Sequence, residues 1–226
     1  MKKVVIVGGV AAGMKTAARL RRRDKDVEIT VLERGPEVSY GACGFPYYIG
    51  DAVKNFAAFN SGPHGMRDPE FFRSVKGVKV LTGHEVTKID RQGKMVTVRI
   101  LSSGEELFFP YDKLVLATGS TPIKLNVPGE DLPGVHSFWF PWDVLKVKEE
   151  VTENRVTDVV IVGAGLIGME LAENFRRIGL NVHVIELQEQ ILPQMLDREL
   201  SDWLLLQLKN SGINFHLGEK TLAILG

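Results

Sequence analysis

The sequence has a single cysteine among 226 residues. An internal disulfide is therefore excluded, and a reducing compartment is the expected setting. An excess of charge of either sign is also missing, because Lys plus Arg and Asp plus Glu each number 28 and the formal net charge is zero. That removes the electrostatic case for nucleic acid or an anionic membrane as a partner. No stretch reaches the ~18 apolar residues that a membrane-spanning helix requires. The opening MKKVVIVGGVAAGM has the lysines and apolar run of a signal peptide, but the run is short and breaks into glycines. It then passes into Lys15, Arg19 and three consecutive arginines, with no small-residue cleavage site. A soluble, cytoplasmic protein is expected, built as one large domain or two small ones with ample apolar content for a core.

What is present centres on Ser39 to Asp51, SYGACGFPYYIGD, which carries Cys43 between Gly41 and Gly44. Glycines here let the backbone pass close to a flat ligand. Phe45, Pro46, Tyr47 and Tyr48 suggest a rigid turn followed by an aromatic wall. A lone cysteine can be a small buried hydrophobe. It can also be a reactive thiolate, which nearby positive charge or a helix amino terminus favours. The surrounding motifs favour the reactive reading.

Lys3 to Val7 is a short run, apolar and β-branched from Val4 onward, of the kind buried on both faces in a parallel sheet. Gly8, Gly9, Val10, Ala11, Ala12 and Gly13 follow, then a basic helical stretch through Arg23, a strand at Val27 to Leu32, and Glu33. The spacing matches a dinucleotide fingerprint at Gly8 and Gly13, with an acid about 20 residues on to take a ribose hydroxyl. Val10 departs from the middle glycine. The pattern returns 155 residues later, VVIVG at Val4 to Gly8 recurring at Val159 to Gly163. In this copy Gly163, Gly165 and Gly168 complete the fingerprint, and a helix to Arg177, a stop at Gly179, a strand from Asn181 to Ile185 and Glu186 follow. The amino terminus of such a helix meets a pyrophosphate with free amides and a positive dipole. Glu186 suits a 2′-hydroxyl, and Leu187 to Gln190 supply no arginine for a 2′-phosphate, which favours NADH over NADPH.

Between the copies, Asp68 and Pro69 open a short helix. Val78–Leu81, Glu85–Ile89, Met95–Leu101 and Leu107–Phe109 read as an antiparallel meander, with a turn at Ser102 to Glu105. Lys113 to Ala117 reads as a buried parallel strand ending in Ala117, Thr118 and Gly119. Pro122, Pro128 and Pro133 mark a linker, and Pro141 opens a helix to about Val151. Later, Leu200, Trp203, Leu204 and Leu208 lie on one face of a helix from Asp197 to Lys209 and read as core. Asn214 to Leu217 is the last expected strand. His64 reads as a surface histidine.

Two such folds in tandem, the ATG strand and the single cysteine resemble the FAD- and NAD(P)H-dependent pyridine nucleotide disulfide reductases. The likeness is to their single-cysteine branch of coenzyme A disulfide reductases, NADH oxidases and NADH-dependent persulfide reductases. It runs over all 226 residues. Its most specific part is CGFPYYIG, which looks like the CGLPYYIG of the coenzyme A and persulfide members; YDKLVLATGSTP and VVIVGAGLIGMELAENF are family-wide. The resemblance implies an α/β fold of two tandem Rossmann-like folds, FAD then NAD, with the inserted meander at about 78–110 and the second fold incomplete. The implied domains are 1–122 for FAD, 123–154 as linker and connecting helix, and 155–226 as the first part of the NAD(H) domain.

The resemblance further implies that Gly8, Gly9, Val10, Ala12, Gly13, Glu33, Arg34, Ala117, Thr118 and Gly119 hold FAD. Gly163, Gly165, Leu166, Ile167, Gly168, Glu170 and Glu186 would hold NADH, with Glu170 beside the nicotinamide. Cys43 would lie against the flavin. Ser39, Arg19 and Arg22 would line the entrance for a coenzyme A moiety, although the two arginines could equally be a solvated helix face. Ala42 stands where some coenzyme A members have asparagine. Hydride from NADH would reach FAD, and two electrons would then cleave a mixed disulfide on Cys43 formed with a disulfide, a coenzyme A disulfide, or a persulfide or polysulfide. An NADH oxidase using a Cys43 sulfenate is the enzymatic alternative. A silent nucleotide-binding fragment, or half of a split enzyme, is the other, since relatives continue for about as many residues again and dimerise through a carboxyl-terminal interface domain. No metal site is expected.

Overall fold

The computed structural model describes residues 1–63, 65–153 and 156–226; His64 lies outside them. In chain order the elements are β1 (Lys3–Val7), α1 (Ala11–Arg23), β2 (Glu28–Leu32), α2 (Phe45–Ile49), β3 (Ser61–Gly62), β4 (Gly65–Met66), α3 (Pro69–Lys76) and β5 (Lys79–Leu81). There follow β6 (His84–Asp90), β7 (Met95–Ile100), β8 (Glu106–Pro110), β9 (Lys113–Leu116), α4 (Pro141–Glu153) and β10 (Asp158–Val162). The chain ends with α5 (Leu166–Arg177), β11 (Asn181–Glu186), α6 (Arg198–Asn210) and β12 (Ile213–Leu217). These elements sort into two compact units, residues 1–41 with 57–120 and residues 42–56 with 121–226. The Cys43 segment is thus part of the second unit, although the chain returns to the first after it.

In the first unit the parallel sheet runs β5-β2-β1-β9. Because successive side chains of a strand point to opposite faces, Val4 and Ile6 of β1 face one way with Ile29 and Val31 of β2. They bury against Met14 and Ala17 of α1 and Phe72 of α3. Val5 and Leu32 face the other way, onto Val96 and Val98 of β7. Three layers result: helices, parallel sheet, and the antiparallel meander β6-β7-β8. One expectation is corrected. Lys79–Leu81 does not begin the meander; it pairs in parallel with Thr30–Leu32 of β2 as the outer strand of the nucleotide-type sheet. The meander proper starts at His84 and carries a register shift between Val86 and Lys88. The reason is non-local: a short apolar run carries no mark of which sheet edge it will join.

The second unit repeats the plan with β10, β11 and β12 paired in parallel in that order. Val182 and Val184 of β11 are fully buried, and Ala172 and Phe175 of α5 are buried with them in the same unit. Asp158 ties the first two strands, accepting from the Asn181 side chain at 3.1 Å. The Thr157 hydroxyl, and then this amide, hold the Asp158 carboxyl below the usual range.

Helix boundaries follow local chemistry. Asp68 and Asp197 accept from the amides of Phe71 and Leu200, three residues on, as amino-terminal caps. A second correction falls on α6. Leu200 and Trp203 are 53% and 62% exposed, Leu204 and Leu208 are only half-buried, and Ser201 is the buried residue. Its hydroxyl donates to the Ile191 carbonyl at 2.9 Å. The helix therefore turns the hydroxyl side inward, and the apolar stripe is not the core of its unit.

Candidate functional site

The two glycine turns are built alike. Gly8 and Gly163 have φ of 105° and 108°, and their amides donate to Leu32 and Ile185 at 2.8 Å, so each turn is tied to the end of the neighbouring strand. A β-carbon on Gly13 would lie 1.8 Å from the Gly8 carbonyl oxygen, and one on Gly168 2.0 Å from that of Gly163. The third glycine of each fingerprint thus lets the helix pass against its own strand. The middle position differs: a β-carbon on Gly165 would meet nothing within 4 Å. The protein itself does not require glycine there, which accounts for Val10 in the first copy.

Each acid is held at the mouth of its turn. Glu33 accepts from the Gly9 amide at 2.5 Å and the Gly35 amide at 2.7 Å. Glu186 accepts from Ala164 at 2.7 Å and Gln188 at 2.8 Å. Each carboxylate oxygen keeps a further lone pair, so both acids can still accept a ribose hydroxyl. The loop beyond each acid is fixed by the chain just past the third strand of its sheet: the His84 amide donates to the Glu33 carbonyl at 2.9 Å, and the Glu219 amide to that of Glu186 at 3.0 Å. Neither α1 nor α5 has a side-chain cap or an acid in its first turn, so their leading amides remain for an anion. In the first unit, Ala117 closes on the turn, its amide donating to Val7 at 2.8 Å. A Gly8 β-carbon would come 2.1 Å from the Ala117 oxygen. With its free amides and pinned acid this cradle fits a dinucleotide; the second turn offers the same amides and acid but is open on this side, a β-carbon on Gly163 meeting nothing within 4 Å.

The remaining expected residues are distributed around these turns. Val10 occupies the cap position of α1 and is half-buried, whereas Ala12, Arg34, Thr118 and Gly119 are exposed. Ser39 donates its amide to Gly9 at 2.9 Å. Near it Glu37 is partly buried, which pushes its carboxyl up. Leu166 and Ile167 are exposed in the first turn of α5, and Glu170 is half-buried one turn on. Arg19 and Arg22 open onto different grooves beside α1. Arg19 lines a groove of about 540 Å³ with Lys15, Thr16 and Arg23, and Arg22 one of about 750 Å³ with Lys25 and Lys76.

Cys43 is exposed, in a tight turn over Ala42–Gly44 that leads directly into α2. Pro46 sits in the first turn of that helix, where its missing amide costs nothing. Of the expected aromatic wall, Phe45 is buried and stacks on Phe56 at 5.6 Å, Tyr48 meets the same ring edge-on, and Tyr47 is 41% exposed.

Two residues escaped the sequence reading. Arg21 donates to the carbonyls of Lys76, Lys25, Val27 and Gly77, and Arg176 to those of Ser211 and Leu180. Each binds the crossover helix of its unit to the first helix. The signal was available, because both stand 13 residues after the first glycine of their copy.

The fold and its turns define a protein with two dinucleotide-binding folds and an accessible thiol. A family model described as pyridine nucleotide-disulphide oxidoreductase matches residues 2–226, and the chain belongs to that family, whose members bind FAD and NAD(P)H. It is 36% identical over its whole length to a coenzyme A-dependent NAD(P)H sulfur oxidoreductase of Pyrococcus furiosus, of which it covers 48%. It is 34% identical over 99% of its length to an NADH oxidase of Methanocaldococcus jannaschii, of which it covers 49%. A solved NAD-dependent persulfide reductase from A. fulgidus superposes with a TM-score of 0.95 at 37% identity, over 99% of this chain and 41% of that one. The chain spans about half the length of the curated relatives it matches.

Proposed function

We propose that the chain supplies the FAD site, the NADH site and the reactive thiol of a flavin-dependent oxidoreductase that reduces a disulfide, coenzyme A disulfide, persulfide or polysulfide. The observation that carries this is the exposed Cys43 in a glycine-flanked turn, within a chain whose two glycine turns each present a pinned carboxylate. Flavin, when bound, carries two electrons from the nicotinamide to sulfur.

The residues of the chain do the rest. Glu33 holds the FAD ribose, and Glu186 the ribose of NADH in preference to NADPH. The leading amides of α1 and α5 take the pyrophosphates. The Cys43 thiolate attacks one substrate sulfur, the substrate S–S bond breaks, and one thiolate leaves. Two electrons and a proton then cleave the Cys43 mixed disulfide, releasing the second thiol and restoring the thiolate. Arg19 or Arg22 would receive the phosphates of a coenzyme A substrate. A reducing, cytoplasmic setting suits this thiol.

The test is the visible spectrum of the FAD-loaded chain under anaerobic NADH, followed by turnover with coenzyme A disulfide and with polysulfide. Bleaching by NADH, and thiol or sulfide release that is lost in Cys43→Ser, is the expected result. Turnover that survives Cys43→Ser would overturn the thiol mechanism. The likeness to an NADH oxidase supports a second reading in which oxygen is the acceptor. In that case loaded chain given NADH and air consumes oxygen without added disulfide.

A further inference from the structure

In the second unit, α2 follows Cys43 after a single residue, and its far end is held by two other helices. Ile49 is the last residue of α2, and its carbonyl has no partner within so short a helix. The Lys148 ammonium, from α4, donates to this carbonyl at 3.0 Å and to the Asp51 carboxylate at 2.9 Å. It also lies 5.8 Å from the centre of the Tyr48 ring. The Lys148 side chain is 17% exposed, although Asp51 is 61% exposed. The ammonium is therefore drawn in toward the backbone and does not simply form a surface pair.

From another direction α5 closes on the same point. A β-carbon on Gly50 would come 2.2 Å from the Asn174 side-chain oxygen, and Asn174 is itself buried, donating to the Glu170 carbonyl at 2.8 Å. The chain then turns back on α2, with Ala52 and Val53 donating to the Tyr47 carbonyl at 2.9 and 3.1 Å. Asp51 takes a φ of 59° to make this turn.

We infer that Lys148 is a positioning residue for Cys43. By bonding the end of α2 it fixes the short helix into which the thiol-bearing turn leads, so the direction of the sulfur depends on a lysine 105 residues further along the chain. Asn174 supplies the steric stop, and Lys148 the bonds that hold the helix against it. The inference rests on the reading of Cys43 as the reacting group, and its test needs neither cofactor nor turnover.

Cys43 is the only sulfhydryl, so a trifluoromethyl tag on it gives one fluorine resonance from one position. In Lys148→Met this resonance shifts or broadens, and the amides of Gly50, Ala52 and Val53 exchange with solvent about tenfold faster, while those of α5 keep their wild-type rates. Lys148→Arg, which can still donate to both acceptors, restores both readouts. Asp51→Asn removes one charged bond but tolerates the left-handed turn, and gives a smaller change of the same kind. An unchanged resonance and unchanged exchange in Lys148→Met would overturn the inference. Faster exchange spread equally through α5 and β10 to β12 would do the same, since the lysine would then only stabilise the unit. Loss of turnover in Cys43→Ser tests the functional reading separately.

Discussion

Glycine occupies the second fingerprint for two different reasons, and they separate on substitution. At Gly168 an added methyl meets the Gly163 carbonyl at 2.0 Å, so strand and helix must move apart. Overpacking of this kind costs about 1–3 kcal/mol. At Gly165 the space is open, and glycine serves the ligand. Gly168→Ala is expected to lower the urea midpoint measurably. Gly165→Ala should leave it within about 0.5 kcal/mol of wild type yet weaken NADH binding about tenfold. Equilibrium unfolding and calorimetric titration on the two variants check this, and equal stability losses would remove the distinction. The fingerprint was legible because glycine spacing is a local signal. The reason for each glycine was not, because it lies in what the turn faces.

At the scale of elements, helix limits could be read from Asp68, Asp197 and Gly179, since caps and stops act over one turn. What a helix turns inward depends on its neighbours. On α6 it is Ser201, not the stripe of Leu200 and Trp203, that faces the interior of the unit. Trp203→Lys is therefore expected to change stability by less than about 0.5 kcal/mol. Arg176→Met removes charged bonds from α5 to the carbonyls of Ser211 and Leu180, and should cost about 1–3 kcal/mol. Trp139, Trp142 and Trp203 all fall in the second unit, so tryptophan fluorescence during urea unfolding follows that unit. A Trp203→Lys loss as large as that of Arg176→Met would show that the stripe is core after all.

Across the whole molecule one plan is used twice: a glycine turn, a carboxylate pinned by two amides, and an arginine tie. The two copies should then hold two separate nucleotides. In Glu33→Gln or Glu186→Gln an amide NH2 must face one of the two backbone donors, and the charge that strengthens a ribose hydrogen bond is gone. Glu33→Gln is expected to weaken FAD about tenfold and leave NADH unchanged, and Glu186→Gln the reverse. Separate titrations of the two ligands decide it. Loss of both ligands in either variant would contradict two independent sites.

The strands of the parallel sheets and of the meander, the glycine turns with their acids, the caps and the single cysteine were legible in the amino-acid order alone, because each depends on residues within a turn or on a repeat that can be aligned by eye; the short pair β3 and β4 was not. The amino-acid order also carried the family, since the most specific likeness lies in a short stretch around Cys43. It takes the folded chain to show that Lys79–Leu81 joins β2, that α6 buries a serine, and that the Cys43 segment belongs with α4 and α5 of the second unit. These outcomes depend on which surfaces meet, across 10 residues of chain for Ser201 and Ile191 and about 50 to 130 for the other two, and no local pattern records the partner. Lys148 illustrates the point: in sequence it is one of two lysines on a helix, and in the fold it holds the end of the helix that follows the thiol-bearing turn.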